Sequence, residues 1–454
     1  MRKYFGTDGI RRIANTELTP ELVYKVAKAG AYVLGKHTDK APLILIGKDT
    51  RLSGSLIESA MTAGFLSYGA NVIHLGILPT PAVAYLTRKL NADASVVISA
   101  SHNPYEHNGI KFFSNKGMKI DDSIEEEIEE VMESGKLNEI RAVGDKIGTD
   151  EYREDLKEEY VNFFIDNFAN EIKNNLREEF IVGIDTSNGA TYEVAEKVFT
   201  KLGIKYKIIS NTPNGVNINE NCGSTHLEHL QKLVKENNLN LGIAYDGDGD
   251  RCLAVDENGE IIDGDITLAI ISNHLKKQGT LNKDTIVATV MSNLGLSKYV
   301  EAHNLALKQT KVGDRYVLEE MLKNGYSLGG EQSGHIILLD YNPTGDGILT
   351  SLMLIMIMLK EKKKASEMKS IINIYPQVLI NAKVSSEKKM TYTEDKDIKE
   401  AIANLENEFK GSGRVLIRPS GTESLIRVMI EGEDKDYIEK RAKELASLIE
   451  KKLG

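Results

Sequence analysis

Residues 239–251 read Leu-Asn-Leu-Gly-Ile-Ala-Tyr-Asp-Gly-Asp-Gly-Asp-Arg. The first half, Leu239–Tyr245, has the length and apolar character of a buried strand. Three carboxylates, on Asp246, Asp248 and Asp250, follow it at alternating positions and are separated by glycines. Glycine lets the backbone curl until the carboxylates converge, and like charges this close repel unless a hard cation neutralises them. The stretch therefore predicts a strand that ends in a magnesium-binding loop.

Two other interpretations of the acidic loop exist. A calcium-binding EF-hand loop also begins with alternating Asp, and Glu257 falls at its twelfth position. However, the sixth position of such a loop needs glycine for its sharp turn, and Arg251 stands there. EF-hand loops also connect helices, whereas this loop lies between predicted strands. Calcium is therefore disfavoured, and an acidic turn without a metal remains the other alternative.

Strands and helices alternate on both sides of this loop. The strands Leu43–Gly47, Asn71–Leu75 and Ser95–Ser99 are separated by stretches of helical spacing, Ser53–Tyr68 and Pro81–Leu90. Such alternation predicts βαβ units and a mainly parallel sheet. An acidic stretch from Asp121 to about Lys157 is interpreted as a surface helix and linker. The later predicted elements are strands Phe180–Asp185, Lys205–Ser210 and Thr285–Val290, and helices Tyr192–Leu202, Leu227–Asn237, Asp265–Leu275, Leu296–Ala302 and Arg315–Leu322.

The chain of 454 residues is too long for one ordinary core. After about Ala365 the pattern changes to strands Arg414–Ile417 and Leu425–Glu431 and a long helix, Lys435–Lys452, which is typical of an antiparallel α+β domain. The predicted fold is α/β, with three mixed or parallel-sheet α/β domains and a smaller C-terminal α+β domain. The predicted boundaries are 1–155, 156–254, 255–367 and 368–454.

Composition limits the partners and the cellular location. The formal net charge is −10, so no broad basic surface exists for nucleic acid. Two cysteines cannot form a disulfide framework. The longest apolar run, Ile348–Leu359, is shorter than the roughly 20 residues that span a bilayer, and it predicts a buried helix. The N-terminus shows no apolar signal segment. We therefore expect a cytoplasmic protein that does not bind membranes.

Three further loops carry reactive or polar side chains. Ser99-Ala100-Ser101-His102-Asn103-Pro104 follows a predicted strand, at the end where open α/β sheets place ligands, and has a histidine beside a hydroxyl. Gly329-Gly330-Glu331-Gln332-Ser333-Gly334-His335 offers an acceptor and a donor for sugar hydroxyls. Arg418-Pro419-Ser420-Gly421-Thr422-Glu423, with Arg427, could cradle a phosphate. Taken alone, each of the three could equally be an ordinary turn.

Taken together and in order, the four loops resemble the α-D-phosphohexomutase superfamily over the whole chain. The N-terminal Phe5-Gly6-Thr7-Asp8-Gly9-Ile10-Arg11 and the Gln332 of the Gly330–His335 loop are similar to the branch that acts on glucosamine phosphates. The chain departs from the usual family pattern at Arg12, where glycine is common, and at Ser424, where proline is common.

The resemblance implies roles for individual residues. Ser101 would carry the phosphoryl group and, through a phosphate oxygen, join Asp246, Asp248 and Asp250 as a ligand of one Mg²⁺. The other implied catalytic residues are His102, Arg11, Lys111 and Arg251. The implied substrate-binding residues are Glu331, Ser333 and His335 for the sugar, and Arg418, Ser420, Gly421, Thr422 and Arg427 for the non-reacting phosphate. The family arrangement places the four domains around a central cleft.

The activity that the resemblance implies is the interconversion of glucosamine 6-phosphate and glucosamine 1-phosphate. It would proceed through phospho-Ser101 and a glucosamine 1,6-bisphosphate intermediate that also serves as activator, and it would feed UDP-N-acetylglucosamine and cell-wall synthesis. The implied partners are the phosphosugar, a second copy in a homodimer, and an activating kinase unless Ser101 phosphorylates itself. The alternatives are a phosphomannomutase or phosphoglucomutase, and a non-catalytic phosphosugar-binding protein.

Overall fold

The computed structural model of the protein describes residues 3–6, 8–36, 40–420 and 423–454. Contacts divide the chain into two compact units, Met1–Met291 with Ala306–Ile371 and Ser292–Leu305 with Ile372–Gly454. Three α/β sheets lie in the larger unit, and one small antiparallel sheet lies in the other.

The first sheet of the larger unit is mixed. Its strands are β1 Ile10–Ile13, β2 Leu43–Lys48, β3 Asn71–Ile77, β4 Ala94–Ile98, β5 His107–Ser114 and β6 Asp150–Tyr152, and its helices are α1 Pro20–Gly35, α2 Gly54–Tyr68, α3 Thr80–Lys89 and α4 Asp122–Glu133. The strand order is β1-β5-β4-β2-β3-β6. Four strands run parallel to one another: β2, β3, β4 and β6. At one edge of the sheet, β5 is antiparallel to both of its neighbours, β4 and β1.

The second sheet repeats this plan. Its strands are β7 Ile181–Asp185, β8 Lys205–Ile209, β9 Leu241–Tyr245, β10 Cys252–Asp256 and β11 Ile261–Ile262, and the neighbouring helices are α5 Lys157–Asn175, α6 Tyr192–Leu202 and α7 Glu228–Asn237. The strand order is β11-β10-β9-β7-β8, and the last three strands run parallel to one another. β10 is antiparallel to both of its neighbours, β9 and β11.

The third sheet is the smallest of the three. Its strands are β12 Thr285–Thr289, β13 Ala306–Thr310, β14 Leu328–Gly330 and β15 Ile336–Leu338, and its helices are α8 Gly264–Gln278, α10 Asp314–Asn324, α11 Gly347–Glu361 and α12 Ala365–Lys369. The order is β13-β12-β14-β15, and only β15 is antiparallel.

The second unit is built on an antiparallel three-stranded sheet. Its strands are β16 Gln377–Lys383, β17 Arg414–Pro419 and β18 Leu425–Glu431, and its helices are α9 Leu294–Ala302, α13 Lys396–Glu408 and α14 Lys435–Leu453. β18 is central, and a buried apolar cluster that includes Val428, Ile430 and Leu445 covers one face of the sheet.

One connection recurs in the three sheets of the larger unit. A parallel strand ends, a short loop follows, and the next strand returns antiparallel beside it: β4 to β5, β9 to β10, and β14 to β15. The loops between them contain residues 99–106, 246–251 and 331–335. Each of these loops is therefore closed at both ends by strands that are hydrogen-bonded to each other.

Local sequence explains how several elements begin. The Thr19 hydroxyl caps α1 by accepting from the Leu22 N–H, and Pro20 occupies the first turn, where its missing N–H costs nothing. Asp49 and Asp185, each the third residue of similar Gly-x-Asp-Thr stretches in the first two sheets, accept the backbone N–H two residues on, at 2.9 and 2.8 Å. The two stretches share this hydrogen bond but not the turn, because Ser187 and Asn188 have positive φ and Arg51 and Leu52 do not.

The predicted fold class is confirmed, because the structure contains three mixed α/β sheets and a smaller antiparallel one. The predicted helix Tyr192–Leu202 and strand Leu425–Glu431 agree with the structure residue for residue, and Ile348–Leu359 lies in the buried helix α11. The acidic stretch from Asp121 to about Lys157 contains a helix, α4, as expected. The sequence analysis did not predict helix α1. Among the described residues, no helix is both long and apolar enough to cross a membrane. The four domain boundaries stay predictions.

Candidate active site

Ser101 is buried at the end of the first sheet, in the loop between β4 and β5. Its Oγ donates to Asp246 Oδ2 at 2.7 Å and lies 3.3 Å from His102 Nδ1. Its φ is +52°, in the left-handed region that residues with a side chain rarely adopt. The fold therefore holds this hydroxyl in an uncommon conformation against the acidic loop.

The acidic loop gathers the carboxylates of Asp246, Asp248 and Asp250 within 4.8 Å of one another, and all three are buried. At that separation each pair repels by about 3 kcal/mol at an effective dielectric constant of about 20. Burial and the two neighbouring carboxylates raise the pKa of Asp246 well above its usual range. Asp248 Oδ1 and Asp250 Oδ1 are buried and have no hydrogen-bond partner among the described residues. Because these are unpaired oxygen ligands around a concentrated negative charge, the residues fit a hard divalent cation such as Mg²⁺.

Lys111 is the buried cation that faces this loop from β5. Its Nζ lies 2.8 Å from Asp248, 3.2 Å from Asp8 and 4.0 Å from Asp250. Burial by itself would lower the pKa of Lys111, but Asp248 and Asp8 outweigh it and raise the pKa, so the lysine is charged. The same balance acts on Asp248, whose pKa is lowered despite burial because Lys111 donates to it.

Arg11 and Arg251 are the other two predicted cations. Arg11 pairs with Asp8, and Arg251 Nε lies 3.9 Å from Asp250 Oδ1. The Nε atoms of both arginines are buried without a hydrogen-bond partner among the described residues. Two such unpartnered donors beside the serine and acidic loops can serve a bound anion.

His102 carries no charge at neutral pH. Burial and the nearby Arg251 and Arg11 lower the pKa of its imidazole to about 4. The ring can therefore accept a hydrogen bond at neutral pH but adds no positive charge to the site.

The predicted sugar-binding loop, Glu331–His335, contacts the residue that directly follows the acidic loop. The Cys252 N–H donates to the Gly334 carbonyl at 3.0 Å, and His335 Nδ1 lies 3.5 Å from Asp250 Oδ2. Ser333 Oγ is buried without a hydrogen-bond partner among the described residues. Glu331 Oε1 accepts the Gly313 N–H at 3.1 Å. The structure thus places the Glu331–His335 loop beside the predicted metal ligands.

The predicted phosphate loop belongs to the second unit. Arg418 and Arg427 are directly opposite each other on β17 and β18. Burial, with Arg427 beside it, lowers the pKa of Arg418, and its Nε is buried without a hydrogen-bond partner within the described part of the chain. Two adjacent guanidinium groups repel unless an anion lies between them. Ser420 Oγ accepts the Glu423 N–H at 3.2 Å. The predicted residues Gly421 and Thr422 lie outside the described residues.

The structure adds three charged residues to the site that the sequence did not indicate. Asp8 contacts Arg11, Lys111 and Lys119, and Lys119 Nζ also lies 2.6 Å from Asp314 Oδ2. Burial by itself would raise the pKa of Asp314, but Lys119 and His335 lower it to about 2. Asp8 belongs to the N-terminal motif Phe5–Arg11, and this motif was the sequence feature that could have indicated its place in the site. Lys119 and Asp314 had none.

Glu129 fixes the N-terminal segment that carries Asp8. Its carboxylate accepts the backbone N–H groups of Lys3, Tyr4 and Phe5 at 2.7, 2.7 and 2.8 Å. It lies on α4, within the stretch interpreted as a surface helix, yet it is buried. One inward-facing carboxylate thus anchors the start of the chain three residues before Asp8.

A buried serine hydroxyl, a convergent carboxylate triad and a surrounding set of cations, on a multi-sheet α/β fold, are the groups that phosphoryl transfer requires. Comparison with known proteins identifies the class. Sequence profiles of phosphoglucomutase/phosphomannomutase match the chain four times: alpha/beta/alpha domain I at residues 2–139, domain II at 158–259, domain III at 263–375 and the C-terminal domain at 379–448. The chain belongs to the phosphoglucomutase/phosphomannomutase family and is a phosphosugar mutase.

Full-length relatives agree with this assignment. Proteins named phosphoglucosamine mutase from Ruminiclostridium cellulolyticum and Acetivibrio thermocellus are 54% and 55% identical to the chain over 454 residues, which is 100% of both chains in each case. The fold matches a phosphoglucomutase/phosphomannomutase family protein of Burkholderia thailandensis, with a TM-score of 0.80, 20% identity and 98% of each chain covered. It also matches the N-acetylphosphoglucosamine mutase of Aspergillus fumigatus in complex with GlcNAc-6P and magnesium, with a TM-score of 0.65, 16% identity and 99% and 96% covered.

Proposed function

We propose that the protein interconverts glucosamine 6-phosphate and glucosamine 1-phosphate through a phosphoserine at Ser101 and a glucosamine 1,6-bisphosphate intermediate. The observation that carries the proposal is the buried Ser101 Oγ, 2.7 Å from Asp246 and inside the carboxylate and cation cluster. The choice of amino sugar is supported by full-length relatives named phosphoglucosamine mutase at 51–55% identity.

Each transfer exchanges one oxygen–phosphorus bond for another. The bond between phosphorus and the Ser101 oxygen breaks, a bond to the sugar hydroxyl oxygen forms, that hydroxyl loses its proton, and Ser101 Oγ gains one. The bisphosphate then turns over, and its other phosphate returns to Ser101 by the reverse exchange. Phosphoryl transfer proceeds through a loose transition state, so positioning and charge neutralisation supply most of the catalysis.

The residues around Ser101 suit those two tasks. A phosphoserine carries about −1.5 to −2 charges at neutral pH, and the sugar phosphate adds more. Asp246, Asp248 and Asp250 would hold Mg²⁺, which when bound supplies positive charge against the phosphoryl oxygens. Lys111 is held charged beside the triad, and the unpartnered Nε atoms of Arg11 and Arg251 can donate to phosphoryl oxygens. The neutral His102 can accept a hydrogen bond from a hydroxyl at the site.

Two loops would bind the rest of the substrate. Glu331, Ser333 and His335 are assigned to the sugar, and the unpartnered Ser333 hydroxyl offers it a donor. Arg418 and Arg427, with Ser420, Gly421 and Thr422, are assigned to the non-reacting phosphate. A small polar sugar loop suits a substrate that must bind in both orientations.

Several finer assignments belong to the same proposal. Phosphorylation of Ser101, by glucosamine 1,6-bisphosphate, by a kinase or by the protein itself, would load the site. The product would feed UDP-N-acetylglucosamine and cell-wall synthesis in the cytoplasm. The four domains would span 1–155, 156–254, 255–367 and 368–454, and the protein would form a homodimer.

A coupled assay for glucosamine 1-phosphate tests the proposal, with Mg²⁺ and a catalytic amount of sugar bisphosphate present. Wild-type protein should turn over glucosamine 6-phosphate faster than mannose or glucose 6-phosphate. Ser101→Ala should abolish turnover and the phosphate detected on the peptide that contains residue 101. Ser59→Ala, which removes an exposed hydroxyl from α2 that bonds only the Ser55 carbonyl, is the matched control.

The other outcomes separate the alternatives. Equal or faster turnover of mannose or glucose phosphates would place the protein among phosphomannomutases or phosphoglucomutases with the same mechanism. Near-normal turnover by Ser101→Ala would refute the phosphoserine mechanism. Binding of all three sugars without turnover, on protein confirmed to carry phosphate, would indicate a phosphosugar-binding protein.

A further inference from the structure

Side chains outside the set assigned to the reaction hold the backbone of Ser101 on both sides. A left-handed conformation at a residue other than glycine costs on the order of 1–3 kcal/mol and persists only where its surroundings impose it. At φ +52°, Ser101 needs such surroundings. Its N–H donates to Ser99 Oγ at 2.9 Å, and Ser99 Oγ in turn donates to Asp49 Oδ2 at 2.5 Å.

Arg51 holds the carbonyl side of the same loop. Its Nη2 donates to the carbonyls of Ser101 and Asn103 at 2.9 and 2.8 Å, and its Nη1 donates to the Pro104 carbonyl at 2.5 Å. Its Nε pairs with Asp49 at 2.9 Å, and both side chains are fully buried. All three guanidinium nitrogens are thus engaged, two by carbonyls of the serine loop and one by Asp49. Arg51 is therefore built to shape the loop and does not offer its nitrogens to a phosphate.

Asn219 holds the same two carbonyls from the second sheet. Its Nδ2 donates to the carbonyls of Ser101 and Asn103 at 2.9 and 3.1 Å. Its own N–H donates to the Ser187 carbonyl at 2.9 Å, which ties it to the loop after β7. Asn219 therefore connects the serine loop to the sheet that carries the carboxylate triad.

Gly247 shows how closely the two loops approach. A Cβ at this position of the acidic loop would lie 2.5 Å from the Ser101 carbonyl oxygen and 2.9 Å from Asn219 Nδ2. No side chain fits there without moving the serine loop. The distance between Ser101 Oγ and Asp246 thus depends on where the Ser101 carbonyl is held.

We propose that Arg51 and Asn219 are positioning residues for phosphoryl transfer, which clamp the Ser101 and Asn103 carbonyls from two sheets and hold Ser101 in its reactive conformation. This inference rests on the proposed function of Ser101. Neither residue touches the substrate or the transferred group. Without either one, Ser101 can relax from its left-handed conformation, and a displacement of about 1 Å at a reacting atom can lower the rate by about 100-fold.

The test uses Arg51→Lys, Asn219→Ala and the double variant in the full chain. Lysine keeps a cation for Asp49 but cannot reach three carbonyls at once. We expect each single variant to lower kcat by about 100-fold while KM for the sugar phosphate changes by less than about threefold. Because both residues act through the same carbonyls, the double variant should lose less than the product of the two single losses.

A second readout does not depend on turnover. In protein phosphorylated at Ser101, the ³¹P resonance of the phosphoserine should move or broaden in both single variants. Arg88→Lys is the matched control, because Arg88 is a half-buried arginine of the same sheet region that bonds Asn342 and not the serine loop. It should leave kcat and the ³¹P resonance unchanged.

The outcomes are distinguishable from failure of the proposed function. If wild-type phospho-Ser101 transfers no phosphate to glucosamine 6-phosphate, the proposed function fails. If the wild type transfers the phosphate while both variants keep the wild-type kcat and ³¹P resonance, the clamp is refuted. It is also refuted if the variants change only the value of KM. If Arg51→Lys does not fold, Asn219→Ala decides by the same two readouts.

Discussion

Replacing Lys111 by methionine removes the cation that three carboxylates of the site share. Methionine has a similar length and no charge, so the change isolates the electrostatic contribution. At an effective dielectric constant of about 20, the attraction of Nζ to the Asp248 carboxylate at 2.8 Å is about 6 kcal/mol. The corresponding attractions to Asp8 at 3.2 Å and Asp250 at 4.0 Å are about 5 and 4 kcal/mol.

The desolvation of a fully buried lysine offsets most of this sum. The net loss expected when one partner of a buried ion pair is removed is about 3–5 kcal/mol, because Asp248 stays buried without the cation that pairs with it. At an unfolding entropy of about 2 cal/mol/K per residue, a loss of that magnitude lowers the melting temperature of the larger unit by about 4–7 °C. Turnover should fall by about 100-fold or more, as when one preorganised donor is removed from an active site.

Thermal melting of the two proteins with and without Mg²⁺ measures the effect. Mg²⁺ should stabilise Lys111→Met more than the wild type, because the cation would neutralise the same carboxylates. Lys157→Met is the control, since Lys157 is also buried but pairs with Glu193 alone, away from the site. A Lys111→Met protein that melts with the wild type, or that gains no more from Mg²⁺ than Lys157→Met, would refute the reasoning.

Three further changes test other parts of the structure. Burial raises the pKa of Asp346 to about 6, above its usual value, so the carboxyl group loses its proton at lower pH in the unfolded chain than in the folded one. The free energy of unfolding should therefore fall by about 3 kcal/mol as pH rises from about 4 to 6. Asp346→Asn should remove that slope from melting curves recorded against pH. Glu129→Ala leaves three backbone N–H groups without their charged acceptor and should lower both melting temperature and kcat, whereas Glu129→Gln, which keeps one acceptor oxygen, should lose less; equal losses would contradict the anchoring role. Arg418→Ala should raise KM for glucosamine 6-phosphate by about 10- to 100-fold with a smaller effect on kcat, and an unchanged KM in initial-rate kinetics would exclude it from phosphate binding.

The sequence predicted the site where chemistry is concentrated in a short loop after a strand. Asp246, Asp248 and Asp250 follow an apolar run, and their alternation with glycine already limits what they can do. Ser101 required the resemblance, because a serine in a Ser-His-Asn-Pro turn has no distinctive pattern. The structure brings these four residues together at the ends of two strands, although Ser101 and Asp246 are 145 residues apart in the chain.

Other residues of the site could not be found this way, because their partners are distant in sequence. Lys119 follows β5 and pairs with Asp314, 195 residues later, so no local spacing relates them. Glu129 is one of several acidic residues on α4, and helical periodicity does not indicate which of them faces three backbone N–H groups. Asn219 lies in an irregular segment, and the carbonyls that it binds, those of Ser101 and Asn103, are more than 100 residues earlier in the chain.

The loops between the paired strands of the three sheets could each be exchanged without moving the strands that carry them. Residues 331–335 enter and leave through the paired ends of β14 and β15, so an exchanged pentapeptide starts and stops at the same two points in space. The same holds for residues 246–251 between β9 and β10. Under the proposed function, selectivity for the sugar and the chemistry of transfer would lie on two separate loops, and exchanging residues 331–335 for those of another family branch would change the sugar preference while Asp246, Asp248 and Asp250 stay in place.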